Sequence, residues 1–377
     1  MSGKNRKIVM VQLSGGNDYL NCIVPFTDPK YVDNRPNVRT ELEDILRLDD
    51  EYGMIPSMAP VKDLFDDGKM AIIHGVGYPT PNRSHFRSMD IWHTAEPDKL
   101  GDQGWLGQAL REMDPNGENV VGAVNFGAGL PRALVSKGAP VASVTDLETY
   151  GLLNDVDGTD QRAEALELFA NMYKQAIGSG PVMDFLSRTG LDALKGADIL
   201  RTAPEKYSSD IEYGNNSFAK AMKGAAQVLT ADIGTRIVYT QHGSFDVHTN
   251  GVALQASLWT DVAAGINDLY SDLKAQNAAA DVLMFVFSEF GRRVRDNGNG
   301  TDHGSGGVAF MIGDSVKGGH YGEYPSLDAD KLIEGDLAFN NDFRGLYAEV
   351  LEDWLEIDAK PIVNGTFEKM NFLKKAV

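Results

Sequence analysis

The segment Asp281–Phe287 (DVLMFVF) is the strongest constraint on what this chain can fold into. After its leading aspartate it is apolar without interruption, so neither face of a strand built from it can be given to water. Runs of this kind belong to parallel sheets covered by helices on both faces. Lys7–Leu13 (KIVMVQL), Lys69–His74 (KMAIIH), Asn119–Phe126, Arg236–Gln241 and Gly307–Ile312 read as further strands. Helical patterns lie between them. Gly251–Gln276 carries Leu254, Leu258, Val262, Ile266, Tyr270 and Leu273 at steps of three or four, and Asn341–Leu355 carries Phe343, Leu346, Tyr347 and Val350. Alternating strands and helices predict an α/β fold with a central, mostly parallel sheet and helices on both faces. Residues from about 146 to 232 turn Ala-, Asp- and Lys-rich, with helical spacing at Ala163, Leu166, Phe169, Ala170 and Tyr173. This predicts a mainly helical cap or insertion within a single domain spanning 1–377.

Charge narrows the partners. With 35 basic against 54 acidic residues the net charge is −19, which argues against nucleic acid or an anionic membrane surface. An anionic substrate then needs a local positive centre, such as a metal ion or clustered arginines. Cys22 is the single cysteine, in the apolar setting Leu20-Asn21-Cys22-Ile23-Val24, so there is no intramolecular disulfide and no multi-cysteine metal site. No apolar stretch approaches a membrane span. The start, MSGKNRKIVMVQL, runs into a strand without a secretory apolar region. The expectation is a soluble, cytoplasmic protein, or an exported one whose signal was removed. Oligomeric state is not legible.

Three short acid-bearing segments, the first and third of which also carry histidines, each follow or flank an apolar run: QHGSFDVHTN (241–250), SEFGR (288–292) and GTDHGSGG (300–307). In open α/β sheets ligands bind outside the carboxyl ends of the strands, and these segments fall there. Asp246 and His248 stand two apart, so in extended chain they project to one side and can grip one ion; the alternative is a turn-capping Asp and a surface His. His303 is the better ligand of the neighbouring pair Asp302-His303, with Asp302 orienting from outside. Glu289, at the end of a buried strand, needs compensation, either from Arg292 or as a metal ligand or base. Lys7–Leu13 ends in Ser14-Gly15-Gly16-Asn17-Asp18, a glycine turn with an acid.

Ser84, in PNRSHF, sits where a loop becomes a helix. A serine there is an N-cap or a nucleophile, with Arg83 and His85 beside it. No GxSxG elbow surrounds it, and no GxGxxG fingerprint follows the first strand. His74, His93 and His320 read as structural.

Taken in order, SGGNDYLNCIVP, RSHF, GWLG (104–107), LPRALV (130–135), GSFDVHTN, SEFGRRVRDNGNGTDHGSGG and DFRGLYAEVL (342–351) resemble the bacterial domain-of-unknown-function 1501 family, over nearly the whole chain. That family is grouped with the alkaline phosphatase and sulfatase superfamily, and many members carry a twin-arginine export signal. The resemblance implies an alkaline-phosphatase-like fold, a divalent metal centre, often of two ions, and phosphoryl or sulfuryl transfer through a nucleophile at a helix N-terminus. By the same resemblance Ser84 takes the nucleophile's place, and Asp246, His248 and His303 those of one metal's ligands. Asp18 and Glu289 take the places of further acids. Phe290 stands where the superfamily's Asp-His pair has its imidazole, so one of two sites lacks a ligand.

The resulting expectation is a metal-dependent hydrolase of a small anionic phosphate or sulfate ester, with zinc favoured. Ser84 attacks, Arg83 or Arg292 steadies the equatorial oxygens, and Asp18 and Glu289 hold a weaker second ion or act as acid/base groups. The alternatives are a non-catalytic metal- or ligand-binding protein with a degraded centre, and a phosphomutase.

Overall fold

Every residue of Val282–Phe287 is buried, because this strand lies inside a nine-stranded sheet with helices on both sides. The computed structural model describes residues 5–147, 149–150, 159–178 and 180–375. In chain order the strands of this sheet are β1 (Lys7–Leu13), β2 (Met70–Gly77), β3 (Ala123–Phe126), β4 (Val141–Val144), β5 (Ile237–His242), β6 (Val282–Phe287), β7 (Gly307–Ile312), β8 (Gly319–Tyr321) and β9 (Asn341–Asp342). In space the order is β8-β2-β7-β6-β1-β5-β3-β4, with β9 also paired to β2. Only β7 is antiparallel to its neighbours; the other pairings are parallel. In the register of the central strands Gln12 lies opposite both Gln241 and Phe287. β1, β5 and β6 therefore end at one level, and their exit loops stand side by side.

The helices are α1 (Tyr19–Cys22), α2 (Pro29–Asn34), α3 (Ala59–Asp66), α4 (His85–Thr94), α5 (Trp105–Met113), α6 (Thr159–Ala176), α7 (Pro181–Lys206), α8 (Ser217–Thr230), α9 (Gly251–Ala275), α10 (Phe343–Glu349) and α11 (Lys360–Val363). Side chains alternate across a strand, and β1 shows how this divides the core. Val9, Val11 and Leu13 pack in one cluster with Met222 of α8 and Leu258, Val262 and Ile266 of α9. Ile8 and Met10 pack in the other, with Leu106 of α5 and Leu346 and Tyr347 of α10. Two apolar layers on one sheet explain why β6 reads as an unbroken apolar run.

The described residues between 146 and 232 form α6, α7 and α8; residues 148, 151–158 and 179 of the expected insertion lie outside the described residues. α8 is no appendage, since Phe218, Met222 and Leu229 are buried in the main core. By contrast, α6 and the start of α7 expose Leu168, Met172, Val182 and Phe185. Two expected boundaries shift for local reasons. The strand expected from Asn119 begins at Ala123 because the Asn119 side chain accepts from the Val121 N–H at 3.0 Å and closes a turn. The last helix, expected to Leu355, loosens after Glu349 into a π-turn at Val350–Trp354.

A buried ion pair ties the first exit loop to the rest. Asp18, just before α1, receives two hydrogen bonds from the Arg35 guanidinium at 2.7 and 2.9 Å. Arg35 is fully buried and also donates to the carbonyls of Val294 and Arg293 at 2.6 and 2.8 Å. Removing one partner of such a pair strands a charge in a poor solvent. Arg35→Ala is expected to destabilise the fold by about 3–5 kcal/mol, read as a lower midpoint in urea unfolding; an unchanged midpoint would mean the pair contributes nothing.

Candidate metal centre

Five chain segments meet where β1, β5 and β6 end. The first is the Ser14-Gly15-Gly16 turn, in which Gly15 (φ +122°) and Gly16 (φ +81°) adopt left-handed backbone. A Cβ on Gly15 would run into the Asp246 backbone nitrogen, so only glycine lets the loop after β5 settle on this turn. That loop carries Asp246 and His248. The segment after β6 carries Glu289 and Arg292, and the approach to β7 carries Asp302 and His303. The start of α4 supplies His85, in the first helical position after Ser84.

Side-chain atoms of these segments approach one another closely. His303 Nε2 lies 3.1 Å from His85 Nε2 and 3.1 Å from His248 Nε2. Asp246 Oδ1 lies 2.9 Å from both His303 Nε2 and His248 Nε2, and Asp246 Oδ2 lies 3.5 Å from His85 Nε2. The other nitrogen of each ring fixes the tautomer. His85 Nδ1 faces Glu289 Oε1 at 2.8 Å, His248 Nδ1 faces Asp302 Oδ1 at 3.1 Å, and His303 Nδ1 faces the Arg83 carbonyl at 2.9 Å. A carbonyl and carboxylates only accept there, so each Nδ1 carries the proton and donates it. In the neutral rings the Nε2 lone pair of His303 then faces those of His85 and His248 and a carboxylate. Without a cation between them such an arrangement is repulsive. With one it is a ligand set whose outer hydrogen bonds hold every ring in orientation. A tetrahedral ion with zinc-like bonds of about 2.0–2.1 Å separates its ligand atoms by roughly 3.3 Å, close to the spacings seen. His85, Asp246 and His303 group around one point, and His248 meets this group through His303 and Asp246.

The electrostatics suit this role. Burial acts to raise the Asp246 carboxyl, but the effects led by the hydrogen bond from Arg292 outweigh it and hold the pKa at about 2. Hydrogen bonds from Asn297 and His248 hold Asp302 below the usual carboxylate range. The hydrogen bond to Glu289 raises His85 above the ordinary imidazole value, against the effect of burial.

Several expected residues stand elsewhere. Asp18 is consumed by Arg35 and does not join the cluster. Glu289 is almost fully buried and accepts from the Gly15 N–H and from His85, each at 2.8 Å; it orients a ligand rather than serving as one. Arg292 is not paired with Glu289 and does not reach the cavity. It is 1% exposed and donates to Asp246 at 2.7 Å and to backbone carbonyls. Arg83 is bound to Asp336 through Nε at 2.8 Å and a terminal nitrogen at 2.7 Å. Neither arginine is free to steady a substrate's oxygens, and what Arg83 gives the centre is its carbonyl. Ser84 is exposed at the N-cap of α4, and its hydroxyl makes no cap hydrogen bond. Asp302 orients a ring, as the sequence suggests, but that of His248 rather than its neighbour's. The sequence reading placed His85 only beside Ser84; an imidazole at the first position of a predicted helix was the available signal.

Residues 5–338 match a family described as a protein of unknown function (DUF1501). The chain belongs to the DUF1501 family. No curated protein matches the sequence. Among solved structures, this DUF1501 protein is similar to the PsFucS1 sulfatase from Pseudoalteromonas sp., at 12% identity and TM-score 0.43, over 98% of this chain and 72% of that one. It is similar to a protein in the alkaline phosphatase superfamily from Vibrio parahaemolyticus, at 11% identity and TM-score 0.42, over 98% and 71%. It is also similar to the C-terminal periplasmic domain of EcEptC from Escherichia coli, in complex with Zn, at 11% identity and TM-score 0.36, over 82% and 73%. These likenesses are distant, and the chemistry of the DUF1501 centre has to be read from its own atoms. No helix among the described residues is long and apolar enough to cross a membrane.

Two outcomes follow for the centre. Added Zn²⁺ should raise the melting temperature, by the equivalent of about 2.7 kcal/mol at a hundredfold excess over Kd, and His303→Ala and Asp246→Asn should abolish the shift. The ion competes with a proton for His85 Nε2, and Glu289 raises that proton's pKa. Affinity should therefore climb as pH rises through the imidazole range and fall on the acid side, about tenfold per pH unit for each ring that must lose a proton; calorimetry at several pH values checks the sign.

Proposed function

We propose that this DUF1501 protein is a metal-dependent hydrolase of small phosphate or sulfate esters, built on a single ion. The convergence of two oriented imidazoles, those of His85 and His303, with the Asp246 carboxylate carries the reading. His85 and Asp246 also border a cavity of about 530 Å³, so the centre faces a space that a small molecule can enter. A nitrogen-rich set with one carboxylate favours zinc. A bound divalent ion polarises an ester oxygen and lowers the pKa of an attacking hydroxyl.

The chain's own groups do the rest. Glu289, Asp302 and the Arg83 carbonyl keep the rings aimed, so the ligand set needs little reorganisation. Ser84 adjoins His85 at the N-terminus of α4, where helix N–H groups favour a developing negative charge. N-cap serines ordinarily spend their oxygen on the helix; here that bond is not made, which leaves the hydroxyl available as nucleophile. With Arg83 and Arg292 engaged elsewhere, recognition of the anionic group falls to the ion.

A second reading, metal binding without catalysis, is favoured by Phe290. Its ring lies 4.8 Å from that of His85 and 5.1 Å from that of His303 and fills the place where another ligand would complete a second site.

The test is turnover of 4-nitrophenyl phosphate and 4-nitrophenyl sulfate by protein purified without chelator. Ser84→Ala should retain its metal and lose on the order of a thousandfold or more in kcat. Chelation should silence the wild type and Zn²⁺ should restore it. Full turnover in Ser84→Ala would move the attack to water, and a loaded centre with no turnover would establish the binding reading.

A further inference from the structure

The cavity beside the centre is divided in its chemistry. On the side of the centre it is acidic, with Asp246 and Glu289 next to His85. Its remaining walls carry no charge. Gln12 of β1 and His93 of α4 line it, 3% and 7% exposed. Apolar side chains stand at its edge, with Phe86 92% and Leu130 46% exposed beside Met89 and Pro131. No lysine or arginine is among the lining residues. Arg132, adjacent to Pro131 in sequence, is held by Asp90 at 3.0 Å and by the Gly101 carbonyl.

Gln12 is the informative residue. One end of its amide accepts from His93 Nε2 at 3.0 Å and from the Tyr239 hydroxyl. The other end has no hydrogen-bond partner among the described residues, and the side chain borders the cavity. That end is not among the fully buried unpartnered atoms but opens on the cavity, so a ligand that displaces water there must replace its hydrogen bond. Burial pushes His93 down to a pKa of about 3, so the polar floor is neutral at physiological pH.

We propose that this cavity binds an uncharged, hydroxyl-bearing organic group with an apolar face, such as a pyranose ring, through the free end of the Gln12 amide and the exposed ring of Phe86. Resting on the hydrolase reading, this group is the alcohol portion of the ester whose anionic portion meets the ion. A purely hydrocarbon group would leave Gln12 without its partner. An anionic alcohol portion would face Asp246 and Glu289 with no cation to receive it. The volume falls within the roughly 300–1,000 Å³ of small-molecule sites.

The probe is phenyl β-D-glucopyranoside, which is neutral, hydroxylated and free of any phosphate or sulfate ester. Its binding to metal-loaded protein is measured by calorimetry and saturation-transfer NMR. Saturable binding is expected, weakened roughly fivefold or more by Gln12→Leu, which removes the hydrogen bond, and by Phe86→Ala. Phe86 is exposed, so its variant tests the site even if Gln12→Leu does not fold. Absence of saturable binding, or equal affinity in the wild type and Phe86→Ala, overturns the proposal. Because the probe is not an ester substrate, the outcome separates from that of the hydrolase assays. Binding without ester turnover keeps the proposal and removes the hydrolase reading, whereas turnover without binding does the reverse.

Discussion

The Arg292 guanidinium is the interaction on which the rest of the site depends. It is buried at the end of β6 and donates to the carbonyls of Gly15 and Gly16 after β1, to Phe245 and Asp246 after β5, and to Thr301 before β7. A buried cation is tolerated only when its donors are all engaged, and here the acceptors come from three separate loops. Satisfying one side chain therefore fixes the relative position of the loops after β1 and β5 and before β7. The same contact sets the charge of the site. Asp246 is offset by Arg292, and the acceptor at each Nδ1 turns the ring's Nε2 toward the centre. An ion held there would keep most of its positive charge, the condition for attracting an anion in a chain of net charge −19.

Around that hub the work is divided between side chains that face the centre and groups that hold them. His85, His248 and His303 each meet an acceptor at Nδ1, and the three acceptors differ: Glu289, Asp302 and the Arg83 carbonyl. Glu289 is braced in turn by the Gly15 N–H and the Ser288 hydroxyl, at 2.8 and 3.1 Å. Phe290 closes the other side, its ring so near Gly16 that a Cβ there would collide with it. A pair of acids that a second ion could have used is thus spent internally, Asp18 on Arg35 and Glu289 on His85.

The elements most legible in the sequence were those whose burial imposes a period or removes it. β1, β6 and β7 announce themselves as apolar runs, and α9 by its stripe at three- and four-residue steps. β4, β8 and β9 do not, because strands of two to four residues at a sheet edge need no long apolar run. In the site, Asp246, His248 and His303 stood out through spacing and strand-end position, and the fold brings them together. The misreadings share one cause: a charged residue's task is decided by a partner far away in sequence. Asp18 is set by Arg35, Arg83 by Asp336, and Arg292 by carbonyls on three loops, and none of these pairings leaves a local pattern. His85 was hidden for a related reason, since which residue of a helix's first turn faces inward depends on how the helix docks.

Helix α4 carries His85 at its start and His93 near its end, and both border the same cavity. Eight residues of α-helix rise about 12 Å, and the hydrogen bonds of a regular helix do not let that length vary. The point where an ion would sit and the polar floor formed by His93 and Gln12 are thereby held at a constant separation. Selectivity for a ligand that touches both becomes a matter of molecular length, enforced by the stiffness of one helix instead of by any single contact.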